Sequence, residues 1–231
     1  MALLPSGVYY KNRAIVDAVL ARTKSLERRL ALLERSGVMQ EAVEAPGGHT
    51  IRFVARKKPL LFLQLAKKGL ESAGIYDYRI ERVRRADGVM EERIRFGAQQ
   101  TPSFAAMVRY LKARGAWVRR FGFDGEWVVE LGLAGARPEV QPAGQARYDV
   151  PKEGLWLQVC GARRVRLASL GGVWYPKVYI YDKDLNPISR YVATHPSRYA
   201  TISLPNGACY IKIADRFTHK NLRRGVRVSV R

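Results

Sequence analysis

The side chains in this sequence that most clearly indicate a binding function are arginines in two predicted strand pairs. Arg93 and Arg95 alternate with Ile94 and Phe96, so on a strand both guanidinium groups share one face and the apolar side chains point to the other. A guanidinium group binds phosphate or carboxylate oxygens at two points. The sequence therefore predicts a face for a polyanion or an acidic partner, formed by Arg82, Arg84, Arg93, Arg95, Arg119 and Arg120. The alternative is a charged face that meets only solvent.

Cys160 and Cys209 are the only cysteines, and both fall in segments predicted as strands of one small β domain. Such a pair can form a disulfide between the sheets of that domain, which indicates an oxidising compartment or a thermophile cytosol. Buried free cysteines are equally common, because a thiol packs as a small apolar group. Both alternatives stay open at the level of the sequence.

Residues at spacings typical of catalysis are lacking. The chain has no phosphate loop, dinucleotide fingerprint, nucleophile elbow or Cys-x-x-Cys pair. His49, His195 and His219 lie far apart, without a second histidine or a cysteine at metal-ligand spacing. Carboxylate pairs such as Glu91-Glu92 adjoin arginine-rich hairpins, where ion pairs are usual. We therefore expect no enzyme, no catalytic residue, no cofactor and no small-molecule substrate.

One segment has the one-three-five spacing of a calcium loop, with Asp182, Asp184 and Asn186 as the oxygen ligands. Pro187 stands where such a loop needs glycine, and Ala193 stands where it needs a bidentate glutamate. The segment therefore predicts a polar hairpin turn and no metal site.

A pattern of helix, glycine, strand, Asp-Gly turn and strand occurs twice and would position most of the arginines. The first copy has its helix at 59–74 and turns at Asp87-Gly88, and the second has its helix at 101–115 and turns at Asp124-Gly125. Asp-Gly between two extended runs is a strong hairpin signal, because both turn residues take positive φ. The repeat predicts a ferredoxin-like domain at 46–134, a four-stranded antiparallel sheet with both helices on one side.

A helical segment at 1–45 precedes the repeat. Apolar residues at alternating spacings of three and four form a heptad-like seam of about three heptads. The pattern predicts a coiled coil that oligomerises through Val16, Val19, Leu26, Leu30 and Leu33. The alternative is an amphipathic helix packed on its own domain.

The last part of the chain reads as a separate β domain. Residues 134–145 contain two prolines and no hydrophobic periodicity, which is typical of a linker. Seven short extended runs separated by turn residues follow, so the sequence predicts an antiparallel β-sandwich at 146–231. The expected fold class is therefore α+β, with a coiled-coil-like helix, a ferredoxin-like domain and a β-sandwich in that order.

A formal net charge of +21, from 41 Lys and Arg against 20 Asp and Glu, is spread along the whole chain. A protein this basic is attracted to polyanions such as nucleic acid, anionic lipid or an acidic protein. The sequence has no apolar run of membrane-spanning length and no secretory signal at its start. We expect a periplasmic location if the chain is the soluble part of a membrane-anchored protein, and a cytoplasmic one otherwise.

The order of elements over roughly residues 13–133 resembles the periplasmic region of PilO-like and GspM-like proteins, inner-membrane assembly-platform components of type IV pili and type II secretion. The residues that carry the resemblance are the strand at 92–97, the helix from Ser103-Phe104 to Leu111 and the return strand at 118–123. The resemblance implies a scaffold that forms homo- and heterodimers without catalysis. That family has a transmembrane helix before its coiled coil, and it normally lacks both a C-terminal β domain and such a high charge.

Two functions are predicted from these observations. The first is a non-enzymatic assembly or scaffold protein that acts through protein–protein contacts in a homo- or hetero-oligomer, as in a pilus or secretion platform. The alternative is a basic nucleic-acid-binding or nucleoprotein structural protein, supported mainly by the charge.

Overall fold

The fold is mostly β. A computed structural model describes residues 2–231, and within them fourteen strands form three sheets, accompanied by short helices. The chain divides into two compact units, the first ending at Pro138 and the second beginning at Glu139. The predicted α+β class, with a coiled coil and a ferredoxin-like domain, is therefore wrong.

All α-helices of the described chain lie in the first unit, and the longest has 14 residues. They are α1 (Ser6–Lys11), α2 (Arg13–Arg22), α3 (Leu26–Arg35), α4 (Val38–Glu44), α5 (Pro59–Ser72) and α6 (Phe104–Ala113). Within residues 2–231 no helix has both the length and the apolar character needed to cross a bilayer.

The predicted coiled-coil helix is interrupted between α2 and α3. Thr23 and Ser25 have extended backbones, and the Ser25 hydroxyl accepts a hydrogen bond from the Arg28 amide at 3.5 Å, which caps α3. The helix α3 packs against α6 of the same unit. Four of the five seam residues, Val16, Val19, Leu30 and Leu33, are buried inside this unit, and Leu26 is partly buried. The coiled-coil prediction is wrong because internal packing occupies the apolar side chains.

The first unit contains one five-stranded sheet with the order β2-β3-β1-β5-β4. Its strands are β1 (Thr50–Arg56), β2 (Tyr78–Ala86), β3 (Val89–Phe96), β4 (Trp117–Phe123) and β5 (Trp127–Gly132). The two hairpins form at the predicted Asp-Gly turns, and both Asp87 and Gly88 have positive φ.

The ferredoxin-like prediction fails because β1 lies between the two hairpins. It pairs antiparallel with β3 and parallel with β5, so the sheet is mixed and five-stranded. On one face of β1 Ile51, Phe53 and Ala55 are all buried. Burial of this apolar stripe requires a central place under the helices, since an edge strand would leave it partly in water.

The second unit consists of two sheets around one core, with the orders β11-β10-β13-β8-β6 and β12-β9-β14-β7. A short 3₁₀ helix spans His219–Leu222. The strands are β6 (Gln141–Pro142), β7 (Ala146–Tyr148), β8 (Leu155–Gln158), β9 (Arg164–Ser169), β10 (Pro176–Tyr181), β11 (Pro187–Val192), β12 (Tyr199–Ser203), β13 (Tyr210–Asp215) and β14 (Val226–Val230). The strand pairs within 146–231 are antiparallel, whereas β6, from the segment predicted as a linker, pairs parallel with β8.

Cys160 and Cys209 form a disulfide. Cys160 lies in the turn after β8 and Cys209 directly before β13, so both lie just outside strands rather than within them. Since β8 and β13 are neighbours in one sheet, the disulfide links the ends of adjacent strands of that sheet. The sequence had offered a bond between the two sheets as one alternative.

Candidate functional site: two arginine-rich sheet faces

The predicted arginine face lies on the side of the first sheet opposite its buried apolar residues. In the strand register Arg82 is opposite Arg93, and Arg79 is opposite Arg95. Arg119 lies at a register irregularity in β4, where its guanidinium group stacks on the Trp117 ring at 4.8 Å. Because β2 and β4 are the two edges of this sheet, their arginines are about 19 Å apart, four strand spacings. The six predicted residues therefore do not form one cluster.

Carboxylates neutralise the middle of this predicted arginine face. The Glu81 carboxylate contacts Arg95 at 2.7 Å and Arg93 at 3.6 Å. The Glu126 carboxylate contacts Arg93 at 2.7 Å and Arg52 at 2.9 Å. At its centre the face is thus an ion-pair network of mixed sign.

A second arginine-rich face lies on the sheet β12-β9-β14-β7. On β9 the exposed Arg164 and Arg166 alternate with the buried Val165 and Leu167. The buried residues belong to the core of the second unit, so the arginines face solvent. Sequence alternation alone is sufficient to aim these side chains, because successive residues of a strand point to opposite sides.

Neighbouring strands extend this arrangement across the sheet. The register places Thr201 of β12 and Ser229 of β14 on either side of Arg166. The same register places Arg227 opposite Arg147 of β7. On the solvent side, guanidinium and hydroxyl groups thus come from all four strands of this sheet.

These side chains line a cleft of about 530 Å³ that contains no aspartate or glutamate. The lining residues are Gln145, Ala146, Arg147, Arg164, Arg166, Thr201, Arg227, Val228, Ser229 and Arg231. We call the five arginines of this set, Arg147, Arg164, Arg166, Arg227 and Arg231, the basic face. Within residues 2–231, no carboxylate side chain forms an ion pair with any of them.

The basic face has the chemistry of an anion-binding surface. Residues two apart on a strand are separated by about 7 Å and adjacent strands by about 5 Å, so several guanidinium groups can each reach a different anionic group. Tyr199 lies two residues before Thr201 on the same side of β12, with 56% of its surface exposed. An exposed aromatic ring beside cationic groups is suited to stacking on a nucleobase.

Sequence reasoning missed the basic face although the signal was present. Arg164-Val165-Arg166-Leu167 alternates in the same way as Arg93-Ile94-Arg95-Phe96. What separates the two segments is the position of carboxylates, which come from other strands and turns and are not visible in either segment.

A buried carboxylate in the first unit was also missed. Glu92 is 5% exposed and lies between Phe53 and Val83 in the register, on the helix-covered side of the sheet. Burial raises the pKa of its side chain to about 7. Among the described residues its Oε2 atom has no hydrogen-bond partner. The pKa of the neighbouring Tyr78 is also raised, first by burial and then by the charges of Glu71 and Glu92.

The polar turn predicted at Asp182 is present. Its carboxylate accepts hydrogen bonds from the amides of Asp184 and Asn186, both at 2.8 Å, and from the Asn186 side chain at 3.0 Å. These hydrogen bonds lower the pKa of Asp182 although burial acts in the opposite direction. The carboxylate thus closes the hairpin between β10 and β11.

Comparisons with known proteins leave the family open. No family model matches the chain, and no curated protein matches it. Among solved structures it is similar to the secreted serine protease VesC from Vibrio cholerae, with 12% sequence identity and a TM-score of 0.23. The match covers 67% of this chain and 40% of that structure. A likeness at this level carries no argument about fold or function.

Proposed function

We propose that this protein binds nucleic acid through the basic face of its second unit and does not itself catalyse a reaction. The observation that carries the proposal is a sheet face with five arginines and no aspartate or glutamate among the residues that line its cleft. Arginine is the side chain best suited to phosphate, since its planar donor fork matches two phosphate oxygens.

The extent of the basic face favours a polymer over a single small anion. Its arginines come from β7, β9 and β14 and from Arg231 directly after β14, so they are distributed over three strands. One phosphate or carboxylate engages two or three such groups at most, and the remaining charges would stay unmatched. A chain of phosphates supplies one charge for each contact, and the overall charge of +21 adds long-range attraction.

The scaffold function has less support. The self-association expected for it used an apolar seam, and Val16, Val19, Leu30 and Leu33 of that seam are buried inside the first unit. Exposed aromatic Tyr199 beside the arginines is a feature that a nucleic acid uses and a purely acidic protein surface does not. We therefore place nucleic-acid binding first.

The test is fluorescence anisotropy with labelled single-stranded DNA, duplex DNA and RNA at about 50 and 200 mM salt. With four or five phosphate contacts the slope of log K against log salt on duplex DNA is expected to be about −4, because each contact releases condensed counterion. Each change of Arg164, Arg166 or Arg227 to Ala should flatten the slope by about one unit.

The matched control is Arg79→Ala, Arg93→Ala and Arg95→Ala, which removes three arginines from the ion-paired face of the first sheet. This variant should retain most of the affinity. The corresponding variant of the basic face combines Arg164→Ala, Arg166→Ala and Arg227→Ala. If the control abolishes binding while this variant binds normally, the assignment of the surface is wrong. Absence of binding at the lower salt concentration contradicts the proposed function.

A further inference from the structure

The strand β2 is an edge of the first sheet whose outer side has no strand partner among residues 2–231. With nine residues it is the longest strand of that sheet, and Arg79 to Arg85 are all exposed. Within residues 2–231, no strand or bridge pairs with its outer side. The opposite edge differs, because Ala2 forms a bridge to Phe123 of β4 with an amide-to-carbonyl distance of 2.7 Å.

The two sides of β2 have different chemistry. Arg82 and Arg84 lie on the solvent face, opposite Arg93 and Glu91 of β3. On the other side Ile80 and Val83 are 54% and 50% exposed, although their register partners Ile94 and Glu92 are buried. The layer under the sheet therefore continues to β2 through Ile80 and Val83 and ends there without a cover. Arg85 lies on this same side, opposite the buried Met90.

Charges and a bulge often protect edge strands from unwanted pairing, and β2 has both. Protection of the edge from unwanted pairing does not explain why Ile80 and Val83 are half-exposed beside the buried core of the sheet. An additional strand next to β2 would bury Ile80 and Val83 and would supply partners for the unpaired backbone groups.

The charges of β2 select the occupant. A second copy of β2 would place arginine beside arginine, which is unfavourable in a strand pair. The only carboxylate on the strand, Glu81, already contacts Arg79, Arg93 and Arg95. An incoming strand therefore fits best when acidic side chains face the arginines and aliphatic side chains face Ile80 and Val83.

We propose that β2 is a docking site for an extended segment of a protein partner in which acidic and aliphatic residues alternate. The segment adds as a sixth strand, with backbone hydrogen bonds along Tyr78–Ala86. This site lies in the first unit and is independent of the basic face, so either proposal can fail while the other stands.

The probe is a fluorescein-labelled nine-residue peptide of alternating glutamate and valine, measured by anisotropy with the full chain. Two peptides with the same numbers of glutamate and valine residues serve as comparisons. In one the glutamates are grouped before the valines, and in the other alternate amides are N-methylated. The alternating peptide should bind at least tenfold more tightly than either, because only it provides both the two-faced pattern and the backbone donors.

Protein variants test the location. The double change Arg82→Glu and Arg84→Glu, and separately Val83→Lys, should each weaken binding of the alternating peptide at least tenfold. The matched control Arg223→Glu with Arg224→Glu reverses the same number of charges at exposed positions of the second unit outside the basic face, and it should leave peptide affinity within twofold. Thermal unfolding of every variant shows that the fold is retained.

Amide hydrogen exchange gives a direct readout of pairing. Residues in Tyr78–Ala86 should exchange more slowly when the alternating peptide is bound, whereas β11, another edge strand, should not change. Equal affinity for the grouped peptide, or equal weakening by the Arg223→Glu and Arg224→Glu control, would indicate general attraction of charge and overturn the proposal. Absence of peptide binding overturns it as well.

Discussion

Replacing Glu92 with glutamine should stabilise the protein at neutral pH. In the folded state burial raises the pKa of this carboxyl from 4.5 to about 7, so the folded protein holds the proton more tightly than the unfolded chain. Between these values the folded state binds more protons, and stability must therefore fall as pH rises. The stabilising contribution is complete below about pH 4.5 and is lost as pH passes through about 7.

The magnitude follows from the size of the shift. A difference of about 2.5 pKa units corresponds to about 3 kcal/mol, which is an upper limit. Ile80 and Val83 beside it are half-exposed, so water screens part of the effect, and a loss of about 1–3 kcal/mol is expected. Glutamine has the same shape and no charge at any pH, so the variant should not show this loss.

The assay is urea denaturation at pH 5 and pH 8. The unfolding free energies of the parent and Glu92→Gln should be close at pH 5, and the variant should be more stable by about 1–3 kcal/mol at pH 8. Glu91→Gln is the matched control, because it removes the adjacent carboxylate from the opposite, solvent-facing side of the strand. A variant no more stable than the parent at pH 8 would refute the argument that an uncompensated buried charge forms at Glu92.

Two further predictions concern the second unit. Asp215→Ala should destabilise the protein by about 1–3 kcal/mol, because the Asp215 carboxylate accepts hydrogen bonds from the amides of Phe217 and Thr218 at 2.8 and 2.9 Å. The control is Asp149→Ala, which removes an exposed carboxylate. Burial raises the pKa of Asp215, but the hydrogen bonds to its carboxylate lower it by more, so the net shift is downward. The contribution of Asp215 to folding stability should therefore be lost only as pH falls below about 4 in acid denaturation. Reduction of the Cys160–Cys209 disulfide should lower the unfolding free energy by up to about 4 kcal/mol, since it opens a loop with a sequence separation of 49. The same melting temperature with and without reductant would contradict the chain-entropy argument.

Local features were predictable wherever short-range chemistry decides the structure. The Asp87-Gly88 turn forms as predicted because Gly accepts positive φ without strain and Asp tolerates it better than most residues. The interruption of the first helix was also readable in principle, since Ser25 is a good N-cap and Thr23 is a poor helix former. The heptad-like spacing was misleading because periodicity identifies an apolar stripe and does not identify what covers it.

Long-range pairing was not predictable from one sequence. The run Thr50–Arg56 was visible as an extended segment, yet its place between the hairpins depends on contacts with β3 and β5, which are distant in the chain. A strand can satisfy its backbone equally well at several positions in a sheet. The burial of Ile51 and Phe53 under the helices selects the central one.

The arginines of the candidate site show the same division between what the sequence determines and what the tertiary structure decides. Alternation along a strand by itself determined that Arg93, Arg95, Arg164 and Arg166 point away from the apolar side chains between them. Only the tertiary structure decided which of the two arginine faces keeps a net positive charge and which is neutralised by carboxylates. Carboxylates from another strand and a turn approach Arg93 and Arg95 within ion-pair distance, whereas none does so for Arg164 and Arg166 in the part of the chain described. Electrostatic attraction depends on distance through space, so the sign of a surface is set by which strands become neighbours.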